Sequence, residues 1–178
     1  MTNIADIPVL ETARLRLRAV RIEDYEDLVA IWSDTSVARY FGDQTLSRED
    51  IWRRLMGHAG QWALLDNGSW AVEEKDTGAF VGSTGFVNAK RDIEPSLEGM
   101  PEMGWALSPS ARGKGYATEA ARAALAWGDV RFGKTTMVCI IHPENRASIR
   151  VAEKIGFRFW RNGIYRNEPT AIFTRETV

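Results

Sequence analysis

The sequence predicts a single domain of mixed α/β fold. Three observations predict this fold class. Residues 14–18 alternate between arginine and leucine, as in a half-buried strand, and apolar residues at helical spacing follow them. Two strand-like segments at 69–88 are joined by turn residues. A glycine-rich run at 108–115 connects a short strand to the most helix-favouring segment of the chain.

Length and composition fit one domain that spans residues 1–178. Hydrophobic residues make up 44% of the chain and charged residues 26%, which is typical of a globular protein. No repeat, low-complexity tract or linker divides the sequence. Residues 1–8 are expected to form a loose leader.

Charge and cysteine content exclude several classes of function. The net charge is −1 and the pI is about 6.2, so we expect neither nucleic acid nor a membrane as a partner. The N-terminus has no signal-peptide core, which predicts a cytoplasmic protein. Cys139 lies in an apolar run and is expected to be buried and inert. His58 and His142 stand far apart, so no metal site is predicted.

The first half of the chain is predicted to hold one strand and two helices. The alternation at 14–18 places Leu15 and Leu17 on one face and the arginines on the other. A helix follows, because four apolar residues recur at helical spacing: Tyr25, Leu28, Val29 and Trp32. A second helix is predicted to begin after Ser47, whose side chain suits an N-cap position.

The middle of the chain is predicted to be mainly β-structure. Turn residues at 75–78 predict a hairpin between the strands at 69–74 and 80–87. The polar stretch at 89–101 contains two prolines and a glycine and is interpreted as a mobile loop. A short strand is predicted at 102–107.

The last part of the chain is predicted to continue as strand, helix and hairpin. The continuous apolar run at 135–142 predicts a strand that is buried on both faces. Asn145 is predicted to cap a helix that ends at Ile155, with Gly156 as its C-terminal cap. A turn is predicted at Asn162–Gly163.

The run SPSARGKGYA, from Ser108 to Ala117, has the features of a phosphate-binding site. The first turn of a helix leaves backbone N–H groups unpaired, and glycines allow a ligand to approach them. Arg112 and Lys114 add positive charge. The spacing matches neither the P-loop nor the dinucleotide-binding fingerprint. A plain strand-to-helix turn is the alternative, but such a turn does not require both glycines and both cations.

The segment from Arg112 to Ala117, RGKGYA, resembles the (Q/R)-x-x-G-x-(G/A) signature of the GCN5-related N-acetyltransferases. HPENRASIRVAEKIGF, at 142–157, resembles the strand and helix that follow in that family. ETARLRLR, at 11–18, resembles the opening strand of the subgroup that acetylates ribosomal-protein N-termini. The resemblance covers residues 10–160 and is strongest over 102–157. It implies a fold of the α+β type, with a mixed, mostly antiparallel sheet that splays at the cofactor site.

The resemblance also implies acetyl-coenzyme A as co-substrate and direct transfer of its acetyl group to a primary amine, of a protein N-terminus or of a small molecule. The cofactor-binding residues that it implies are Trp105, Ala106, Leu107, Ser108, Arg112, Gly113, Lys114, Gly115, Tyr116, Ala117, Thr118, Asn145 and Ser148. Nothing in it fixes the oligomeric state, for which we expect a monomer or a homodimer.

Two residues are candidates for proton handling. Glu102 is a candidate general base, because relatives often carry a carboxylate near the start of this strand; a solvated strand-end glutamate is the alternative. Many relatives carry a tyrosine acid where this chain has Ala152. By resemblance to the ribosomal-protein subgroup, Ser148 contacts the leaving sulfur instead, or is merely a helix-surface hydroxyl.

The acceptor site is less well indicated by the sequence. Its candidate lining residues are Trp32, Tyr40, Phe41 and Trp52, and Glu94 and Glu98 are candidates for attracting a cationic amine. Each has core packing or solvation as its alternative. The alternative function is a non-catalytic acyl-coenzyme A sensor of the same fold.

Overall fold

The computed structural model describes residues 6–40 and 45–177. The helices are α1 Tyr25–Trp32, α2 Thr35–Ala38, α3 Arg48–Leu65, α4 Tyr116–Phe132 and α5 Arg146–Lys154. The strands are β1 Leu10–Glu11, β2 Leu15–Arg18, β3 Ser69–Glu74, β4 Phe80–Val87, β5 Ile93–Glu94, β6 Glu102–Leu107, β7 Thr136–Ile141, β8 Arg158–Tyr165 and β9 Glu168–Glu176. Short 3₁₀ turns precede α1 and α4.

In the described residues the strands form one sheet in the order β1-β2-β3-β4-β6-β7-β9-β8-β5. Every neighbouring pair is antiparallel except β6 and β7, which run parallel. These two strands are paired at Glu102 and Val138 alone, whereas β4 follows β6 from Val87–Glu102 to Gly82–Leu107. The sheet therefore opens between β6 and β7 beyond Glu102, which confirms the expected mixed, mostly antiparallel sheet with a splay.

The two faces of β6 belong to different halves of the core. Met103, Trp105 and Leu107 pack in a cluster that includes the buried alanines of α4. Ala106 packs instead against the cluster formed by α1, α2 and α3. Because side chains alternate along a strand, Glu102 shares the face of Ala106. We call this side, covered by α1–α3, the acceptor face, and the opposite side the α4–α5 face.

The predicted helix starts are confirmed by their caps. The Ser47 hydroxyl accepts the N–H of Asp50 at 3.1 Å and begins α3. The Asn145 side chain accepts the N–H of Ser148 at 3.1 Å and begins α5. Each bond satisfies one of the N–H groups that a helix start leaves open.

The predicted turn at Asn162–Gly163 is wrong. β8 runs through both residues, and the chain turns at Arg166 and Asn167, whose φ angles are 54° and 63°. Positive φ at two central residues is typical of a tight hairpin turn. Gly163 has a different purpose, because a Cβ there would lie 2.6 Å from the carbonyl oxygen of Glu94. The glycine allows β5 to approach β8.

The predicted loop at 89–101 is only partly correct. It contains β5, which pairs with the end of β8. The expected leader also needs correction, because Ile7 is buried in the core and the Pro8 carbonyl accepts the indole N–H of Trp70 at 2.8 Å. Residues 1–5 lie outside the described part of the chain.

The strand alternation at 14–18 holds for the leucines but not for all three arginines. Leu15 and Leu17 are fully buried, yet Arg18 is buried too. Its guanidinium donates to both carboxylate oxygens of Asp24 at 2.8 Å and to Glu73 at 2.8 Å. No helix in the described residues is long and apolar enough to cross a membrane.

Candidate active site

The glycine run forms an open turn in front of α4. Gly113 and Gly115 have φ angles of 76° and 82°, which glycine adopts without strain. Between residues 113 and 118, no backbone N–H donates to an acceptor among the described residues. A Cβ added at Gly113 would meet nothing within 4 Å. We call residues 112–118 the phosphate cradle, because unpaired amides at an open helix start suit phosphate oxygens.

The cradle is charged and anchored on both sides. The side chains of Arg112 and Lys114 are exposed. Arg112 donates to the hydroxyl of Ser36 at 2.8 Å, which ties the cradle to α2. Arg14, the residue before β2, donates to the Lys114 carbonyl at 2.9 Å and is held by the carboxylate of Glu119 at 2.6 Å. The sequence did not indicate that Arg14 supports the phosphate cradle in this way.

The implied cofactor residues form a continuous path from the cradle into the splay. The N–H of Ser108 donates to Val81 of β4 at 3.0 Å, so the end of β6 stays attached to the β4 side. On its other side β6 has no ladder partner among the described residues beyond Glu102. An extended amide chain fits this opening, because it can pair with the free strand edge as another strand does.

Ser148 lies at the splay, on the α4–α5 face. The Trp105 indole N–H donates to its hydroxyl oxygen at 3.3 Å. An indole nitrogen only donates, so the hydroxyl proton of Ser148 remains available for another acceptor. Asn145 holds the backbone of the same residue. The structure therefore brings together three residues that the sequence predicted separately.

Glu102 begins the splay from the acceptor face and is buried. Arg91 donates to both of its carboxylate oxygens, at 2.7 Å from Nε to Oε2 and from Nη2 to Oε1. Burial disfavours the charged form of Arg91, but its contacts with Glu102 outweigh burial and raise the pKa of the guanidinium. The sequence gave no indication of this partner.

More cations lie on the acceptor face. The Arg54 guanidinium of α3 lies over the ring of Trp32, 4.0 Å from its centroid. Burial, followed by the charges of Arg91 and Arg166, lowers the pKa of Arg54. Arg91 and Arg166 both lie over the ring of Tyr165. Sequence reasoning missed this group, because its members come from α3, the 89–101 segment and the final hairpin.

The predicted acceptor-lining residues are distributed unevenly. Trp32 is buried between α1 and α3, and Tyr40 contacts the ring of His142 at 5.7 Å. Trp52 is exposed and meets Tyr25 edge-on at 5.5 Å, on the outer side of α3. Phe41 lies outside the described residues. Glu94 and Glu98 are both exposed on the 89–101 segment.

One further reactive side chain, the thiol of Cys139, is inaccessible because it is buried. Cys139 is buried as predicted, and burial together with the charge of Glu102 raises the pKa of its thiol well above the usual range. That shift opposes thiolate chemistry. Within the described residues no group of three or more His, Cys, Asp or Glu side chains could hold a metal ion.

Comparison with known families gives a match along most of the chain. Residues 14–158 match the model of the acetyltransferase (GNAT) domain. The chain is 34% identical to the Bacillus subtilis protein YkkB over 94% of its own length and 95% of that relative. Other similar bacterial proteins bear the name N-acetyltransferase.

Solved structures of the same fold include a GNAT-family acetyltransferase from Bordetella pertussis. It has a TM-score of 0.82 and 28% identity, covering 94% of this chain and 99% of that one. The fold is also shared with RimL, a ribosomal L7/L12 α-N-protein acetyltransferase solved in complex with coenzyme A. For RimL the TM-score is 0.73 at 17% identity, with 95% and 98% of the two chains covered.

These matches agree with the splayed sheet and with the open turn before α4. They favour an enzyme over the alternative of a non-catalytic sensor. The chain belongs to the GNAT acetyltransferase family and is an N-acetyltransferase of that family.

Proposed function

We propose that this enzyme transfers the acetyl group of acetyl-coenzyme A directly to a primary amine, on a small molecule or a protein N-terminus. The observation that carries the proposal is the continuous path from the phosphate cradle to the splay. Ser148 borders that path on one face of β6 and Glu102 on the other. A thioester in the splay is therefore reached by an amine from the acceptor face.

The chain's own groups fit coenzyme A in two parts. The amides of the phosphate cradle bind the diphosphate, with Arg112 and Lys114 neutralising its charge. The free edge of β6, at Trp105, Ala106, Leu107 and Ser108, pairs with the pantetheine amides. Asn145, whose Oδ1 accepts the N–H of Ser148, keeps its amide nitrogen as a donor for the same arm. Bound acetyl-coenzyme A supplies an activated acetyl thioester.

Glu102 handles the amine. Its carboxylate, which Arg91 holds at both oxygens, attracts an approaching ammonium group. The carboxylate draws a proton from the ammonium group, directly or through water. The neutral amine then forms the new N–C bond as the C–S bond breaks, and the proton that the nitrogen loses on forming the amide goes to the departing thiolate.

Ser148 handles the sulfur. Its hydroxyl is oriented by the indole N–H of Trp105 and by the helix start that Asn145 caps. A hydroxyl proton directed at the leaving thiolate stabilises the charge that develops there. This arrangement takes the place of the tyrosine that many relatives carry at the position of Ala152. Ala152 itself is fully buried.

Thiol release from acetyl-coenzyme A, measured with a chromogenic reagent across small amines and N-terminal peptides, tests the proposal. We expect thiol release that depends on an amine. We also expect an acetylated product that is about 42 Da heavier than the acceptor, because an acetyl group replaces one hydrogen. Glu102→Gln should be slow with every acceptor. Thiol release that no amine stimulates, or that yields no acetylated amine, would contradict the proposal.

A further inference from the structure

The acceptor face carries more positive than negative charge beside the splay. Three guanidinium groups lie together there, and the charges of Arg91 and Arg166 repel the charge of Arg54. The carboxylate that contacts this group is Glu102, and it is already bound at both oxygens by Arg91. We call the three arginines the cationic cluster. Its excess charge lies where an acceptor must approach the thioester.

Arg54, like Arg166, is a member of the cluster without a counterion among the described residues. In the described residues no carboxylate lies within ion-pair distance of its guanidinium, and no hydrogen-bond acceptor is recorded for it. By contrast, its neighbour Arg53 pairs with Glu49 and Asp50 on the outer side of α3. A half-buried guanidinium with five N–H donors is costly unless an anion satisfies it.

His58, one turn after Arg54 on α3, adds a second polar group without a hydrogen-bond partner among the described residues. That group is the buried Nδ1 of its ring. Burial, followed by the charge of Arg54, lowers the pKa of His58 to about 4. The ring is therefore neutral at pH 7 and can hydrogen-bond to a ligand. A buried polar atom without a partner calls for an explanation, such as a ligand that completes it.

We propose that the acceptor amine carries an anionic group, a carboxylate or a phosphate, and that Arg54 binds this anion with His58 beside it. The proposal rests on the proposed function for the reacting amine. Guanidinium groups match the planar, bidentate geometry of carboxylate and phosphate oxygens. Glu102 then receives the amine end of the acceptor, and the Arg54 side receives the anionic end.

A packing role for Arg54 on Trp32 is the competing explanation, and it makes a different prediction. Stacking and the aliphatic stem do not distinguish a charged acceptor from a neutral one. Arg54→Met keeps the stem and removes the charge. If packing were the whole role, this variant would slow acids and amides alike.

The experiment compares matched acceptors that differ in charge. ω-Amino acids of increasing length are assayed beside their amides, and aminoalkyl phosphates beside the corresponding amino alcohols. Thiol release gives kcat/KM, and calorimetry gives the affinity of each acceptor for protein saturated with coenzyme A. We expect an anionic member to exceed its neutral partner by about 10- to 100-fold, the effect of a charge-assisted hydrogen bond. Whether that member is an acid or a phosphate identifies the anion.

The variants decide whether Arg54 is responsible. The preference should disappear in Arg54→Met, because anionic acceptors fall to the level of their neutral partners, and it should persist in the matched control Arg53→Met. Equal handling of anionic and neutral acceptors by the wild type would overturn the proposal, as would a preference that survives Arg54→Met. Arg54-dependent binding of an anionic amine without any acetyl transfer would instead refute the proposed function and leave this inference standing.

Discussion

The phosphate cradle and the cationic cluster are both positively charged, but they are built in different ways. The cradle is one continuous segment, and its exposed cations and unpaired amides lie within seven residues. The cluster collects arginines from α3, the 89–101 segment and the final hairpin, and its charges are partly buried. A site built from one continuous segment can be recognised in a sequence, because its backbone geometry depends on neighbouring residues. A site of the second kind exists only after folding.

The difference also separates two tasks. The cradle uses main-chain groups, which suit a phosphate ligand that the whole family shares. The cluster uses side chains, which can change without disturbing the fold, and it faces the acceptor side. Coenzyme A binding is therefore expected to depend on glycines, and acceptor choice on arginines.

The largest expected effect comes from blocking the cradle. Gly115→Glu places a side chain at a φ of 82° and a negative charge beside the diphosphate site. We expect coenzyme A affinity to fall by roughly 100-fold or more, because several charge-assisted hydrogen bonds are lost together. Calorimetric titration with coenzyme A measures it.

The matched control for that variant is Gly78→Glu. Gly78 has a φ of 72° and open space around it, but it lies in the turn between β3 and β4. The Gly78→Glu substitution imposes similar backbone strain but places no charge at the phosphate cradle. Equal loss of affinity in both variants would mean that strain, and not a blocked anion site, is the cause.

The second prediction concerns the Arg91–Glu102 pair. Glu102→Gln removes the charge that we propose attracts the amine, and it leaves Arg91 without its carboxylate partner. We expect kcat/KM to fall roughly 100-fold and the free energy of unfolding to fall by about 3 kcal/mol. Steady-state kinetics and urea unfolding measure the two effects.

The double variant Arg91→Gln, Glu102→Gln separates the two roles. It should recover most of the stability, because no charge remains unpaired, while its kcat/KM stays low. Recovery of both together would show that Glu102 is needed only for folding.

A smaller effect is expected at Ser148. Ser148→Ala removes the hydroxyl that we propose faces the sulfur and should lower kcat about tenfold, or about 1.4 kcal/mol of transition-state stabilisation. The KM for acetyl-coenzyme A should change little. Trp105→Phe, which removes the orienting N–H, should lower kcat in the same direction but less. An unchanged kcat in Ser148→Ala would assign this serine to the helix surface.

The last prediction concerns stability alone and tests the buried state of His58. Its folded pKa of about 4 lies below the unfolded value of 6.5, so the unfolded chain binds more protons between these values. Its contribution to stability is complete above about pH 6.5 and is lost as the pH falls toward 4.

Urea unfolding of the wild type and His58→Leu between pH 7 and pH 4 measures this contribution. We expect the wild type to lose up to about 3 kcal/mol more than the variant over that range. Parallel pH profiles for the two proteins would show that His58 titrates normally and is not buried beside Arg54.

The sequence predicted the elements whose causes are local. Asn145 caps α5 and the glycine run opens α4 because capping and positive φ depend on a few neighbouring residues. It failed at Gly163, where the reason for glycine is the carbonyl of Glu94, 69 positions earlier in the chain by the numbering. The partner of Glu102 was missed for the same reason, since Arg91 lies across a folded loop.

Arg18 and Arg54 show why charge alone was not informative. Both are arginines in segments with ordinary periodicity. Arg18 is buried with two carboxylates, whereas Arg54 is half-buried beside other cations. Only the folded neighbours distinguish a structural ion pair from a cation that is open to a ligand.

A crystal structure with coenzyme A bound tests the central claim most directly, namely that one continuous path joins the cradle to the splay. We predict the diphosphate on the amides of 113–118, the pantetheine along β6, and the sulfur within hydrogen-bonding distance of the Ser148 hydroxyl. Arg54 and His58 should then line the open side, across β6 from Ser148. A diphosphate bound away from the cradle, or a sulfur that does not enter the splay, would contradict the account.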